Sequence, residues 1–115
     1  PTPDGTCVRD YIHVTDIAQA HVMGLDYLEK GGKSDFLNIG TGQGYSVKEI
    51  LQMCETVTGK SVPQEFGPRR PGDPPELIAN PAKIKKQLGW EPAYSDLQTI
   101  ISTAWQWEQK RKELL

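Results

Sequence analysis

A chain of 115 residues, 37% hydrophobic and 24% charged, with a formal net charge of -2, has the makeup of a soluble globular protein with room for one domain or part of one. The near-neutral balance excludes a general nucleic-acid binder, which presents a basic excess to the phosphate backbone, and no apolar run approaches the ~20 residues that cross a bilayer, so no membrane partner is expected. The only cysteines, Cys7 and Cys54, lie far apart without a CxxC pair, which supplies neither a zinc framework nor a secreted disulfide scaffold and favours a reduced, cytoplasmic setting.

The chain opens on Pro1-Thr2-Pro3-Asp4-Gly5, with neither a signal sequence nor an initiator Met, so further sequence upstream is expected. Residues Cys7 to Val14 form a β-favouring stretch. Thr15 offers an N-cap for a helix carrying Ile17, Ala18, His21, Leu25 and Leu28, which Gly31-Gly32 ends. Phe36-Leu37-Asn38-Ile39 reads as a buried strand running into the turn Gly40-Thr41-Gly42-Gln43-Gly44. Ser46 and Glu49 have capping-box spacing, and Val47, Ile50, Leu51, Cys54 and Val57 make the apolar face of a helix stopped by Gly59.

Val62 to Phe66 has the character of a short strand, and the prolines of the segment from Gly67 to Pro75 force a stiff loop. Asn80 before Pro81 caps a short helix, with Pro at the first helical position, and Gly89 closes it. Trp90-Glu91-Pro92 is a connector. A last helix from Ser95 or Asp96 stacks Leu97, Ile100, Ile101, Ala104 and Trp105 before fraying into the charged tail from Gln109 to Glu113.

Three segments carry possible chemistry. Strand, then Gly40-x-Gly42-x-Gly44, then helix invites a dinucleotide-binding reading. The G-x-G-x-x-G frames, however, end on Tyr45 or Val47 where a small residue is needed, although Glu65 lies near the distance of a ribose-binding acid. A tight, capped strand-to-helix turn is the preferred reading. Arg69-Arg70-Pro71-Gly72-Asp73 offers guanidinium forks for phosphate oxygens on a loop stiffened by prolines, with Asp73 as an acceptor for sugar hydroxyls. The residues alone equally allow a solvated turn with an Arg-Asp pair. Arg9-Asp10-Tyr11-Ile12-His13 adds another arginine, which could pair with Asp10, and His13 with Asp16 has the look of an acid-base pair without a nucleophile attached.

Taken together, Asp4-Gly5-Thr6-Cys7-Val8-Arg9-Asp10-Tyr11-Ile12-His13-Val14-Thr15-Asp16, then Asn38-Ile39-Gly40-Thr41-Gly42, then Pro68-Arg69-Arg70-Pro71-Gly72-Asp73, Leu88-Gly89-Trp90 and Trp105-x-Trp107 resemble, in order, the C-terminal part of the UDP-glucose 4-epimerases of the extended short-chain dehydrogenase superfamily. The resemblance implies an α/β fold, the C-terminal substrate-binding part of an NAD-binding Rossmann-type nucleotide-sugar epimerase. Residues 1–58 would be a strand-helix-strand-helix segment partly completing the Rossmann domain, and residues 59–115 the substrate-binding lobe. Arg9 and Arg70 would then grip the UDP pyrophosphate, Asp73 would bind the uridine ribose, and Leu77 would limit the room beside the sugar's C2 substituent or simply line the site.

The reaction so implied is NAD-dependent C4 epimerisation of UDP-glucose and UDP-galactose, with N-acetylated sugars as further candidates. NAD would be bound by N-terminal sequence outside this chain. The family's catalytic Tyr-x-x-x-Lys pair is not here either, since Tyr11, Tyr27, Tyr45 and Tyr94 are followed four residues on by Thr15, Gly31, Glu49 and Gln98. The chain alone is therefore expected to be inactive and marginally stable, with a sheet edge and apolar faces left uncovered. The full-length protein is expected to be a homodimer. The rival readings are a nucleotide-sugar dehydratase or decarboxylase of the same superfamily, and a stand-alone UDP-sugar-binding module.

Overall fold

The computed structural model of the chain describes residues 2–115. Its elements run β1 (Val8–Arg9), α1 (Val14–Glu29), β2 (Tyr45–Ser46), α2 (Val47–Thr58), β3 (Glu76–Leu77), α3 (Ala82–Leu88) and α4 (Leu97–Leu114). The three strands form one small sheet in the order β2-β1-β3, with β2 antiparallel and β3 parallel to β1. Val8 and Arg9 face Ser46 and Tyr45 on one side and Glu76 and Leu77 on the other.

The β-favouring stretch from Cys7 to Val14 thus contributes only two residues to the ladder. Asp10 leaves it to bond the glycine turn, and His13 then starts α1. Residues 36–39, expected as a buried strand, form no ladder. No strand among the described residues lies beside them, and Phe36 is 92% exposed. Residues 62–66 are likewise irregular, with the Val62 N–H donating to the Glu55 carboxylate. The strands that do form at Tyr45–Ser46 and Glu76–Leu77 carry no alternating signal of their own. Pairing with β1 makes them extended.

The helix starts follow side-chain chemistry closely. At α1 the cap is His13 rather than Thr15, because the imidazole Nδ1 accepts the Thr15 N–H at 3.0 Å. The capping box of α2 is complete, Ser46 Oγ accepting from the Glu49 N–H at 3.1 Å and Glu49 accepting from the Ser46 N–H at 2.7 Å. At α3 the cap position falls on Pro81, not Asn80, and Ala82 is the first helical residue, its N–H donating to the Asn80 side chain; Asp96 accepts both the N–H and the hydroxyl of Thr99 at the start of α4. Gly59 and Gly89 end α2 and α3 in the left-handed conformation, as their positions imply. The tail does not fray at Gln109. α4 continues to Leu114, with Arg111 and Glu108 paired at 2.8 Å across one turn.

The packed face of α1 is not the stripe its apolar residues suggest. Leu25 and Leu28 are 60% and 51% exposed, while Asp16, Ala20, Met23 and Tyr27 turn inward. Ala20 joins Ile84 and Trp90 in the buried core, with Ile12, Met23, Leu37, Ile39 and Leu88 packed around it. Trp90, a mere connector in the sequence, is one of the largest buried side chains.

A buried carboxylate explains the choice of face. Asp16 accepts the N–H groups of Ala93 and Tyr94, each at 2.9 Å, and the hydroxyl of Ser95, while its own carbonyl accepts the Trp90 indole N–H at 2.9 Å. The same Ser95 Oγ accepts the His13 N–H, and His13 Nε2 reaches Thr103 on α4 at 2.8 Å. The first turn of α1 is therefore fastened to the start of α4, and α4 packs in turn against α2. Burial by itself would raise the Asp16 carboxyl, but the bonds from Ser95, Ala93 and Tyr94 outweigh it and hold the group below its ordinary value.

Removing the carboxylate in Asp16→Ala strands three donors, so unfolding stability should fall by about 2–4 kcal/mol. Urea denaturation measures this, and a loss under about 0.5 kcal/mol, the range of a neutral surface change, would rule out the fastening. A second aspartate sets the acid response. The hydroxyls of Ser46 and Thr6 and the Thr6 N–H hold Asp4 at about 2, against 3.8 when unfolded. A group depressed on folding stabilises fully above its unfolded value and loses that contribution as pH falls through its folded one. Stability should thus drop between pH 3.8 and about 2, with a shallower slope in Asp4→Asn. An identical slope in that variant would show that Asp4 contributes nothing.

Candidate functional site

The loop after residue 66 closes on a turn written into its sequence. Asp73 N–H donates to the Arg70 carbonyl at 3.4 Å, Pro71 occupies the first central position, and Gly72 the second with φ 81°. A proline there presets φ, and only glycine takes the following positive φ without strain. The Arg69 guanidinium donates to the Asp73 carbonyl at 3.2 Å and braces the turn. Asp73 is folded back over Arg70, its Oδ2 lying 2.7 Å from Nη2 and 2.8 Å from Nε.

From Asp73 the chain runs directly into β3. Val8 N–H donates to the Pro75 carbonyl at 2.9 Å, and the register sets Leu77 opposite Arg9. Arg9 Nη1 donates to the Val8 carbonyl at 2.8 Å, leaving Nη2 3.8 Å from Asp73 Oδ1. Arg9, Arg70 and Asp73 converge, with Leu77 alongside on the paired strand, although Arg9 is separated in sequence from the other three by two helices. Arg9 pairs with Asp73 and not with Asp10. The Arg-Asp pair that the loop sequence allowed is real, and it sits at the same place as the two guanidiniums that the resemblance singles out. Arg9 is largely covered, its side chain 23% exposed, whereas Arg70 is 79% exposed.

Arg70 and Asp73 border a cleft of about 430 Å³ whose walls also include Thr6, Cys7, Val47, Phe66 and Arg69, while Arg9 and Leu77 lie outside its lining. One wall is cationic with a carboxylate acceptor, another apolar and aromatic, which suits an anionic ligand carrying a flat or weakly polar end. Lys48 lies over the Phe66 ring with Nζ 5.0 Å from its centre. Cys7, Val47 and Phe66 carry no functional signal in the sequence. Pairing of β1 with β2 brings Cys7 beside Val47, whose N–H donates to the Cys7 carbonyl at 3.1 Å, and Phe66 approaches through Lys48. A second cleft, of about 480 Å³, lies between α1 and residues 33–39; its lining is mainly apolar, with Leu25, Leu28, Leu37, Ile39 and Ile84, and its one long-chain cation, Lys33, stands next to Ser34 and Asp35 without a guanidinium.

The glycine turn is otherwise engaged. The Asp10 carboxylate accepts the Thr41 N–H and hydroxyl and the Gly42 N–H, at 2.7–3.1 Å. The donors that would cradle a pyrophosphate thus already hold an internal anion. A Cβ on Gly40 would lie 2.5 Å from the Ala79 Cβ and 2.7 Å from Asp10 Oδ2, so glycine serves close packing there. These residues do not fit a dinucleotide. His13 and Asp16 form no acid-base pair either, since one imidazole nitrogen caps α1 and the other reaches Thr103 on α4, while the carboxylate's bonds go to residues 93–95. Tyr11 is half-buried, and burial, reinforced by Cys7 and opposed by Arg9, pushes its phenol above the ordinary value.

A known family, described as GDP-mannose 4,6 dehydratase, matches residues 3–103. The chain is 54% identical over 105 residues to a UDP-glucose 4-epimerase of Corynebacterium glutamicum, covering 91% of this chain and 32% of that protein. It superposes with a TM-score of 0.92, at 43% identity, on the UDP-glucose-4-epimerase from Stenotrophomonas maltophila solved with bound NAD and formylated UDP-arabinopyranose, over 100% of this chain and 34% of that one. It is also similar to the UDP-Glc/GlcNAc 4-epimerase from Campylobacter jejuni, with a TM-score of 0.83 and 46% identity over 95% of this chain and 33% of that one. The resemblance read from the motifs therefore extends over nearly the whole chain, and so does the α/β class. The chain spans about a third of the length of the relatives it matches.

Proposed function

The chain belongs to the family described as GDP-mannose 4,6 dehydratase, and from that premise we propose that it grips the UDP end of a nucleotide sugar for an NAD-dependent UDP-sugar 4-epimerase. The observation that carries this reading is the convergence of Arg9 and Arg70 on Asp73, with Arg70 and Asp73 lining a cleft that has an apolar wall. Two guanidiniums, one fixed by a strand pair and one on a proline-stiffened turn, can fork the oxygens of a diphosphate. Asp73 supplies an acceptor for the ribose hydroxyls.

The substrate pair is UDP-glucose and UDP-galactose, as the names of the relatives suggest. N-acetylated sugars enter the same proposal because the Campylobacter jejuni relative is named for both kinds and Leu77 is smaller than an aromatic residue. NAD, present in the Stenotrophomonas maltophila structure, supplies hydride transfer in such an enzyme. It would be held by residues outside this chain, whose glycine turn is fitted to Asp10 instead. What this chain does is bind and orient. Binding energy spent on the UDP end positions a reacting carbon several bonds away.

Residues 1–58 would partly complete the Rossmann domain, and residues 59–115 would form the substrate lobe. The exposed Val22, Leu25 and Leu28 on α1, with Phe36 on the unpaired extended segment, are surfaces that such packing would cover. A cytoplasmic homodimer belongs to the same proposal; no helix among the described residues is long and apolar enough to cross a membrane. A second reading, a nucleotide-sugar dehydratase, is favoured by the description of the matching family, and product analysis separates an epimer from a 4-keto-6-deoxy sugar.

In the full-length protein, Arg70→Ala should weaken UDP binding by roughly 10- to 100-fold, the worth of a hydrogen bond to a charged group. Calorimetric titration with UDP decides, and an unchanged affinity would eliminate the clamp. Leu77→Tyr should lower kcat/KM for a UDP-N-acetyl sugar at least about tenfold relative to its non-acetylated counterpart, since a misfit of a few atoms in a pocket is worth about that much. Equal effects on both sugars would place Leu77 away from the C2 substituent.

A further inference from the structure

We propose that Asp73 is an internal counter-ion that a diphosphate must displace, so that phosphate binding unmasks the carboxylate for hydroxyl recognition; this rests on the reading of the site as a UDP clamp. The Nε and Nη2 edge of Arg70, the edge that forks a phosphate, is spent on Asp73 Oδ2 at 2.8 and 2.7 Å. Arg9 turns Nη2 toward Asp73 Oδ1 at 3.8 Å while Nη1 stays on the Val8 carbonyl. Arg69 is fastened to the carbonyl of the same residue at 3.2 Å. Three cations are thus gathered around one aspartate, and its carboxylate occupies the donors that a diphosphate needs.

The two ends of this arrangement differ in strength. The Arg70 side chain is 79% exposed, so its pair with Asp73 is screened by water and easily exchanged. A diphosphate brings more charge and more oxygens than a single carboxylate and wins that exchange. The turn survives the exchange, because the bond from the Asp73 N–H to the Arg70 carbonyl and the Arg69 brace both involve the backbone of residue 73. Asp73 is then held beside the diphosphate with its oxygens free, where the vicinal hydroxyls of the adjoining ribose would lie. A nucleoside without phosphates cannot perform the displacement, so the carboxylate remains masked against it. The device selects for nucleoside diphosphates over nucleosides.

The test uses the full-length protein with inorganic diphosphate as the probe. Asp73→Asn and Asp73→Ser remove the competing charge and should each bind diphosphate about two- to fivefold more tightly than the wild type, the scale of an exposed ion pair. The gain should vanish when Arg70→Ala is added, since the competition is for that guanidinium. Diphosphate binding that is equal or weaker in both Asp73 variants, with Arg70→Ala still weakening UDP, overturns the counter-ion role and leaves the clamp standing. UDP affinity indifferent to Arg70→Ala overturns the clamp, and the counter-ion role with it.

Discussion

The Asp16 carboxylate is the constraint on which the arrangement of helices depends. It lies on the first turn of α1 yet takes its partners from residues 93–95, immediately before α4, so two elements far apart in sequence share one anchor. The Asp16 carbonyl holds the Trp90 indole in the core beside Ala20 and Ile84. Because α4 packs on α2, and α2 continues directly from β2, which pairs with β1, the anchor closes a ring of contacts that returns to the strand just upstream of α1. A buried charge is tolerated there because every strong donor nearby points at it.

The same device recurs at smaller scale. Asp4 gathers Thr6 and Ser46, and Asp10 gathers Thr41 and Gly42. Each binds a loop to the central strand region through a carboxylate that accepts from backbone and hydroxyl groups. Asp73 differs in kind, since its oxygens meet guanidiniums and not backbone donors. Carboxylates satisfied by fixed neutral donors serve the fold, whereas one paired with an exposed cation can change partner. Asp26, Asp35 and Glu108 also pair with exposed cations, but each with a single one, whereas Asp73 lies between two guanidiniums.

The cluster itself rests on little regular structure. β1 and β3 pair over two residues each, and the turn from Arg70 to Asp73 owes its shape to Pro71 and Gly72. Local rigidity from proline stands in for an extended ladder. The exposed apolar residues of α1 and residues 36–39 lie on a different face, away from the guanidiniums, so surface awaiting cover and surface suited to a small ligand are physically separate in this chain.

Much was legible in the sequence because it is decided by neighbours within a few residues. The capping box of Ser46 and Glu49, the stops at Gly59 and Gly89, the cap at Asp96 and the Pro-Gly turn all stand where side-chain chemistry puts them. The order of motifs was enough to indicate the family and to nominate Arg9, Arg70, Asp73 and Leu77. What failed was everything that needs a distant partner. The apolar stripe of α1 faces outward because Asp16 selects the opposite face, residues 36–39 stay unpaired because no strand lies beside them, and Trp90 enters the core because a carbonyl two helices away receives its N–H. Strand pairing and burial are long-range interactions, so only the tertiary structure could bring Arg9 to Asp73. Turns and caps are short-range ones, and those the sequence mostly determined by itself, the cap of α1 at His13 and not Thr15 being an exception.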